Sequence, residues 1–119
     1  MADALVELRD ALREFARARD WEQFHSPRNL ATAVAVEAGE LLEHFQWRRD
    51  EDSRALDAPT RDAVALEAAD VLLCLVRLAD ALDVDLAATA RRKLELNAAK
   101  YPVALARGSA RKLPPPDAR

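Results

Sequence analysis

Proline occurs only at positions 27, 59, 102 and 114–116, and glycine only at 39 and 108, so the chain runs in long stretches without a residue that breaks a helix. Punctuation of this kind predicts an all-α fold. The 119 residues, half of them hydrophobic, suit one small domain and leave no room for a second. Apolar residues recurring at helical spacing predict four helices. The first, at about 3–19, carries Leu5, Leu8, Leu12, Phe15 and Ala16 on one side. The stretch "DWEQFHSPRNL" interrupts it with two aromatics, a histidine and Pro27, which suits a turn before a second helix at about 28–47. A charged loop, "RRDEDSRALDAP", follows. Thr60 is read as the N-cap of a third helix reaching about Leu82, and Asp83 or Asp85 as the cap of a fourth at about 86–100, which Tyr101-Pro102 ends. Residues 104–119 are basic, Pro-rich and aperiodic, so the folded domain is expected to span 1–103 and the remainder to be a flexible tail.

Charge and cysteine usage narrow the functional classes. A net charge of −3 argues against a polynucleotide partner, which calls for a basic face. Cys74 is the one cysteine and has no internal partner, and "MADALVELRD" lacks the basic start and apolar core of a signal peptide. A cytoplasmic setting is the expectation. The most apolar run, "VLLCLV", is closed by Arg77 and is far too short to span a bilayer, so no membrane association is expected.

Carboxylates stand where helical periodicity calls for apolar residues. Leu30, Val34, Leu41 and Phe45 form one stripe, and Glu37, seven residues after Leu30, is rotated from it by only about 20°. In the third helix Val64, Val71, Leu75, Leu78 and Leu82 form another stripe, with Glu67 between Cys74 and Leu78 and Asp70 about 60° away toward Arg77. Each helix thus bears an acidic pair at i, i+3, Glu37 with Glu40 and Glu67 with Asp70, on a face bordering apolar surface. A bare buried charge is costly, so such acids take up a proton or a cation. If the helices face each other, the pairs make one four-carboxylate site. Oxygen-only ligands select hard cations, Mg²⁺ or Mn²⁺, the more so where an anionic substrate completes the shell. The Glu-x-x-His pattern of di-iron bundles is absent, because Glu43 stands three residues after Glu40 and His44 four after it. His44 is read as a packing or surface residue and Glu43 as a solvated acid. Ion pairing of the acids with Arg77 or another helix is the structural alternative.

The elements Glu37-Ala38-Gly39-Glu40 and Glu67-Ala68-Ala69-Asp70 together resemble the hallmark of the all-α nucleoside triphosphate pyrophosphatases, the MazG-like superfamily. "RDWEQFHSPRNL" followed by "EAGELLEHFQW" is similar to its dCTP pyrophosphatase branch, and "KLELNAAKYP" to a downstream family motif in which Lys100 replaces the usual Arg. The resemblance covers about residues 5–113. It implies a four-helix MazG-like fold completed by oligomerisation, as a tetramer built from two dimers. It also implies Mg²⁺-dependent hydrolysis of a nucleoside triphosphate to monophosphate and pyrophosphate, with dCTP or modified nucleotides as substrates and Mn²⁺ as a substitute metal. Glu37, Glu40, Glu67 and Asp70 would then be the metal-binding and catalytic acids, Lys93, Asn97 and Lys100 the phosphate contacts, and Trp21, Phe24, His25 and Trp47 the base-binding residues. By residue type alone, Phe24 and Phe45 are read as core residues, and Trp47 suits either role. Relatives carry His and Tyr where this chain has Leu12 and Cys74, which bears on the base pocket. Two other readings stand beside this one. One is a non-catalytic helical oligomerisation module whose acids pair across protomers, and the other is a pyrophosphohydrolase of the same superfamily with a different substrate.

Overall fold

The computed structural model of the protein describes residues 3–119, and among them the only regular structure is helical. The first unit, through Val84, contains α1 (Ala4–Ala18), α2 (Pro27–Glu43), α3 (Asp50–Ser53) and α4 (Ala58–Ala81). The second, from Asp85, contains α5 (Leu86–Lys100) and α6 (Val103–Ala106), with a 3₁₀ turn at Pro116–Ala118.

Side-chain caps explain where the long helices start. Asp3 accepts from the Leu5 amide at 2.9 Å, so it caps α1 instead of opening it. Ser26 accepts from the Asn29 amide at 3.1 Å, which puts Pro27 in the first turn of α2. Proline is tolerated there because the first amides of a helix have no intrahelical acceptor. The same rule corrects the start of α4. Asp57 accepts from Thr60 N–H at 2.8 Å, so Thr60 is the donor to a cap three residues earlier, and Pro59 lies inside the helix. Asp85 caps α5 through the Ala88 amide at 3.0 Å. Asp83 instead takes a left-handed conformation at φ 53°, which lets the Val84 amide reach back to the Ala79 carbonyl at 2.9 Å.

Two connectors hold more structure than the expected loops. Asp20, also at φ 53°, reverses the chain after α1, and Glu22–Phe24 form a 3₁₀ turn. The charged segment after α2 contains the single-turn helix α3. α2 itself stops at Glu43, not Trp47; the Phe45 amide donates to the Leu42 carbonyl at 2.8 Å, tightening residues 44–47 into turns.

α4 is the central element of the first unit, packed against both α1 and α2. The residues most fully withdrawn from solvent mark these contacts: Ala16 of α1, Leu30 of α2, and Val76 and Ala79 of α4. Arg13 of α1 clamps Asp80 of α4 with two hydrogen bonds, one at 2.9 Å from Nε, and that clamp holds the Asp80 carboxyl below its usual pKa. Large apolar side chains nevertheless face outward, among them Val36 and Leu42 on α2 and Leu66 and Leu72 on α4. In the second unit the Arg119 guanidinium donates to the Lys100 carbonyl at 2.7 Å, occupying one of the carbonyls left free at the end of α5.

Candidate functional site

The burial of Leu30 on α2 and of Val76 and Ala79 on α4 decides which faces of these helices meet. Glu37 lies two turns beyond Leu30, and Glu67 and Asp70 lie on the preceding turns of α4, so the register that buries the apolar residues draws the acids together. Carboxylate oxygens of Glu37, Glu67 and Asp70 all fall within 4.8 Å of one another, with the first two residues half-buried and Asp70 exposed. Glu40 is exposed on the next turn of α2 and lies outside this trio.

The electrostatics of the cluster are unbalanced. Glu37 Oε2 and Glu67 Oε1 are enclosed by protein and have no hydrogen-bond partner. None of the four acids forms an ion pair among the described residues, so the alternative of salt bridging to Arg77 fails within the chain. The Glu37 carboxyl is raised above its usual pKa, first by the adjacent Glu67 carboxyl, with which it can share a proton, and then by burial and the charges of Glu67 and Asp70. A neighbouring Glu40 carboxyl acts in the opposite direction. Enclosed, unpartnered oxygens on adjacent acids are satisfied either by a shared proton or by a cation, and an all-oxygen set of this kind fits a hard divalent metal.

This cluster has a definite pH signature. A carboxyl with a raised folded pKa destabilises the folded state above that pKa, and the penalty is relieved as pH falls through it. In metal-free protein, the melting temperature of the native chain relative to Glu37→Gln should therefore increase as pH is lowered from 7 toward the ordinary Glu value of 4.5. Parallel pH profiles for the two proteins would show that Glu37 is not strained.

The aromatic candidates do not converge in one place. Trp21 packs edge-on against Phe15, ring centroids 5.7 Å apart, whereas Phe24 is exposed and Trp47 is 90% exposed. Phe45 is half-buried, and His44 ends α2 beside Trp47, Pro59 and Thr60, away from the acid trio. His25 is half-buried and meets Arg77, whose Nη1 lies 2.9 Å from His25 Nδ1. This contact was not legible in the sequence, although Arg77, seven residues after Asp70, follows it on the same face of α4. A cavity of about 310 Å³ opens at this point, lined by apolar side chains from α1, α2 and α4 together with His25, Arg77 and Asp80. In the second unit, Lys93, Asn97 and Lys100 fall on one side of α5 at i, i+4, i+7, with Lys93 exposed and the other two half-buried.

Residues 32–113 match the model of the MazG-like family. The chain is 46% identical over 108 residues to dCTP pyrophosphatase 1 of Mus musculus, a match covering 89% of this chain and 64% of that protein. It is also 46% identical over 110 residues to dCTP pyrophosphatase 1 of Homo sapiens, covering 91% of this chain and 65% of the relative. The chain thus spans less than two thirds of the length of these relatives. Among solved structures, a pyrophosphatase from Archaeoglobus fulgidus DSM 4304 superposes with a TM-score of 0.77 at 40% identity, covering 86% of this chain and 95% of that one.

Proposed function

The chain belongs to the MazG-like family, and we propose that it is a Mg²⁺-dependent nucleoside triphosphate pyrophosphohydrolase acting on dCTP or modified deoxynucleotides. In this reading it clears the cytoplasmic nucleotide pool of unwanted triphosphates. The observation that carries the proposal is the carboxylate trio with its enclosed, unpartnered oxygens and, among the described residues, no ion pair to balance them. Relatives and the solved neighbour named as pyrophosphatases support the reaction class, and the dCTP named in the relatives supports the base.

Glu37, Glu67 and Asp70, with Glu40 beside them, would hold the metal, which would supply neutralisation of phosphate charge and polarisation of the α-phosphoryl group. One carboxylate of the set takes the proton released as water attacks the α-phosphorus. The bond to the α–β bridging oxygen breaks, leaving a nucleoside monophosphate and pyrophosphate. Lys93, Asn97 and Lys100 are assigned to the departing phosphates, the lysines as point charges. Trp21, Phe24, His25 and Trp47 are assigned to the base. Residues 1–103 are taken to suffice for this chemistry, with 104–119 as an appended tail.

The test is a panel of ribo- and deoxynucleoside triphosphates with Mg²⁺ or Mn²⁺, scored by pyrophosphate release. Turnover of dCTP to dCMP and pyrophosphate is expected. No turnover of any triphosphate would leave the chain as a non-catalytic helical module, and preference for another nucleotide would move it elsewhere in the superfamily.

Assembly belongs to the same proposal. The outward-facing Val36, Leu42, Leu66 and Leu72, with Trp47 at 90% exposure, leave more apolar surface than a monomer keeps in water. A homotetramer formed from two dimers is expected, and it would give Trp47 the cover that its own protomer lacks. Light scattering at micromolar concentration should report about four times the 13.2 kDa chain mass, and a monomer would sink the assignment.

A further inference from the structure

Four arginines line the cavity in the first unit, and among the described residues three of them are ion-paired. Arg9, Arg13 and Arg17 at its rim are each ion-paired, to Asp10, Asp80 and Glu14. Arg77 has no carboxylate partner among the described residues. Its guanidinium donates instead to His25 Nδ1 at 2.9 Å. A guanidinium carries five N–H donors in a fixed fork, so this bond leaves most of them without an acceptor in a half-buried place. The same Nη1 also stands 3.3 Å from His25 Nε2, so the imidazole turns both ring nitrogens toward the guanidinium and holds it in place. Burial first, and then the Arg77 charge, lowers the His25 pKa, with the Glu22 charge acting the other way. Two carboxylates line the same space, and both face other arginines: Asp80 is clamped by Arg13, and Glu22 stands 3.9 Å from Arg17 Nε. The remaining walls, including Leu12, Leu30 and Val76, are apolar. The cavity therefore offers hydrogen-bond donors between apolar faces, and it matches a flat ring with adjacent acceptor atoms.

Its position relative to the acids follows from the helices. Arg77 is seven residues beyond Asp70 on α4, and Leu30 is seven residues before Glu37 on α2. Along both helices the cavity is thus about 10 Å from the carboxylates, the length of a nucleoside. Half-buried Cys74 lies between them on α4. An α-phosphate at the acids puts its base in reach of Arg77.

We propose that Arg77, held by His25, is the base-selecting residue, its fork donating to the adjacent O2 and N3 acceptors of cytosine. The inference rests on the nucleotide pyrophosphohydrolase reading and adds to it the residue that chooses the base. Thymine and uracil carry an N3–H between their carbonyls, so a donor would face a donor. Adenine offers an amino donor beside N1. Guanine alone among the other bases has a comparable acceptor pair, O6 with N7, and it serves as the control for ring size.

The experiment measures binding of dCMP, dTMP and dGMP to the full chain with Mg²⁺ by calorimetry, alongside kcat/KM for dCTP and dTTP, in the native protein, Arg77→Met and Arg77→Lys. Met keeps the apolar stem, and Lys keeps the charge without the fork. The native protein should prefer dCMP over dTMP, and Arg77→Met should reduce that ratio by about 10-fold or more. Arg77→Lys should bind both nucleotides but fail to restore the preference, and it decides the matter if Arg77→Met does not fold. An unchanged ratio in both variants, or a native protein that binds dCMP no better than dTMP or prefers dGMP, would overturn the inference. Arg77-dependent dCMP selectivity without triphosphate hydrolysis would uphold the inference and remove the pyrophosphohydrolase reading. Hydrolysis with base selectivity indifferent to Arg77 would do the reverse.

Discussion

Glu67→Gln is expected to lower kcat on the best triphosphate by about 100-fold or more while KM changes little. Glu67 is half-buried, one of its oxygens is enclosed without a partner, and its carboxylate meets those of Glu37 and Asp70 within 4.8 Å. Removing its charge would weaken the proposed metal site, where negative charge would build up during phosphoryl transfer, and interactions that strengthen toward the transition state appear in kcat. The same change relieves repulsion in the metal-free protein. Glutamine is nearly isosteric and removes the neighbour that contributes most to raising the Glu37 pKa, so metal-free stability should hold or increase. Mg²⁺ should raise the melting temperature of the native protein and have much less effect on the variant. Native-like kcat in a folded Glu67→Gln protein would end the assignment of this cluster to catalysis, and coincident native melts with and without Mg²⁺ would end its assignment to metal.

Trp47→Ala should show the opposite division, with KM raised by a factor corresponding to about 1–3 kcal/mol of lost stacking and kcat near native. An indole at 90% exposure contributes little to the packing of its own protomer, so its truncation leaves the melting temperature of the monomeric fold almost unmoved. The base contact proposed for it would be made equally in ground and transition states, and such uniform binding is read in KM. The comparison with Trp21→Ala is informative, because Trp21 packs edge-on against Phe15 and should lose stability as well as affinity. Unchanged KM in Trp47→Ala, measured where the native assembly persists, would return Trp47 to a purely structural role.

The helical class and the acidic pairs were legible because each rests on local spacing. Long runs without Gly or Pro leave the backbone no cheaper way to satisfy its hydrogen bonds than a helix. Seven residues bring the helix nearly back to the same face, so Glu37 had to follow Leu30 toward α4. Helix ends were less legible. Thr60 and Asp57 both suit a cap, and only the observed bond from Thr60 N–H to Asp57 shows which side chain accepts. α2 stopping at Glu43 instead of Trp47 likewise depends on turns whose stability comes from their surroundings.

Local periodicity by itself determined that this chain is a set of amphipathic helices bearing two acidic faces. Tertiary packing alone determined that three of the four acids converge, that Glu40 stays outside their trio, and that Arg77 turns to His25 and not to a carboxylate. The difference has a physical origin. Helical rotation assigns a residue to a face from its neighbours along the chain, whereas convergence depends on the axial register of α2 against α4, which the burial of Leu30, Val76 and Ala79 sets.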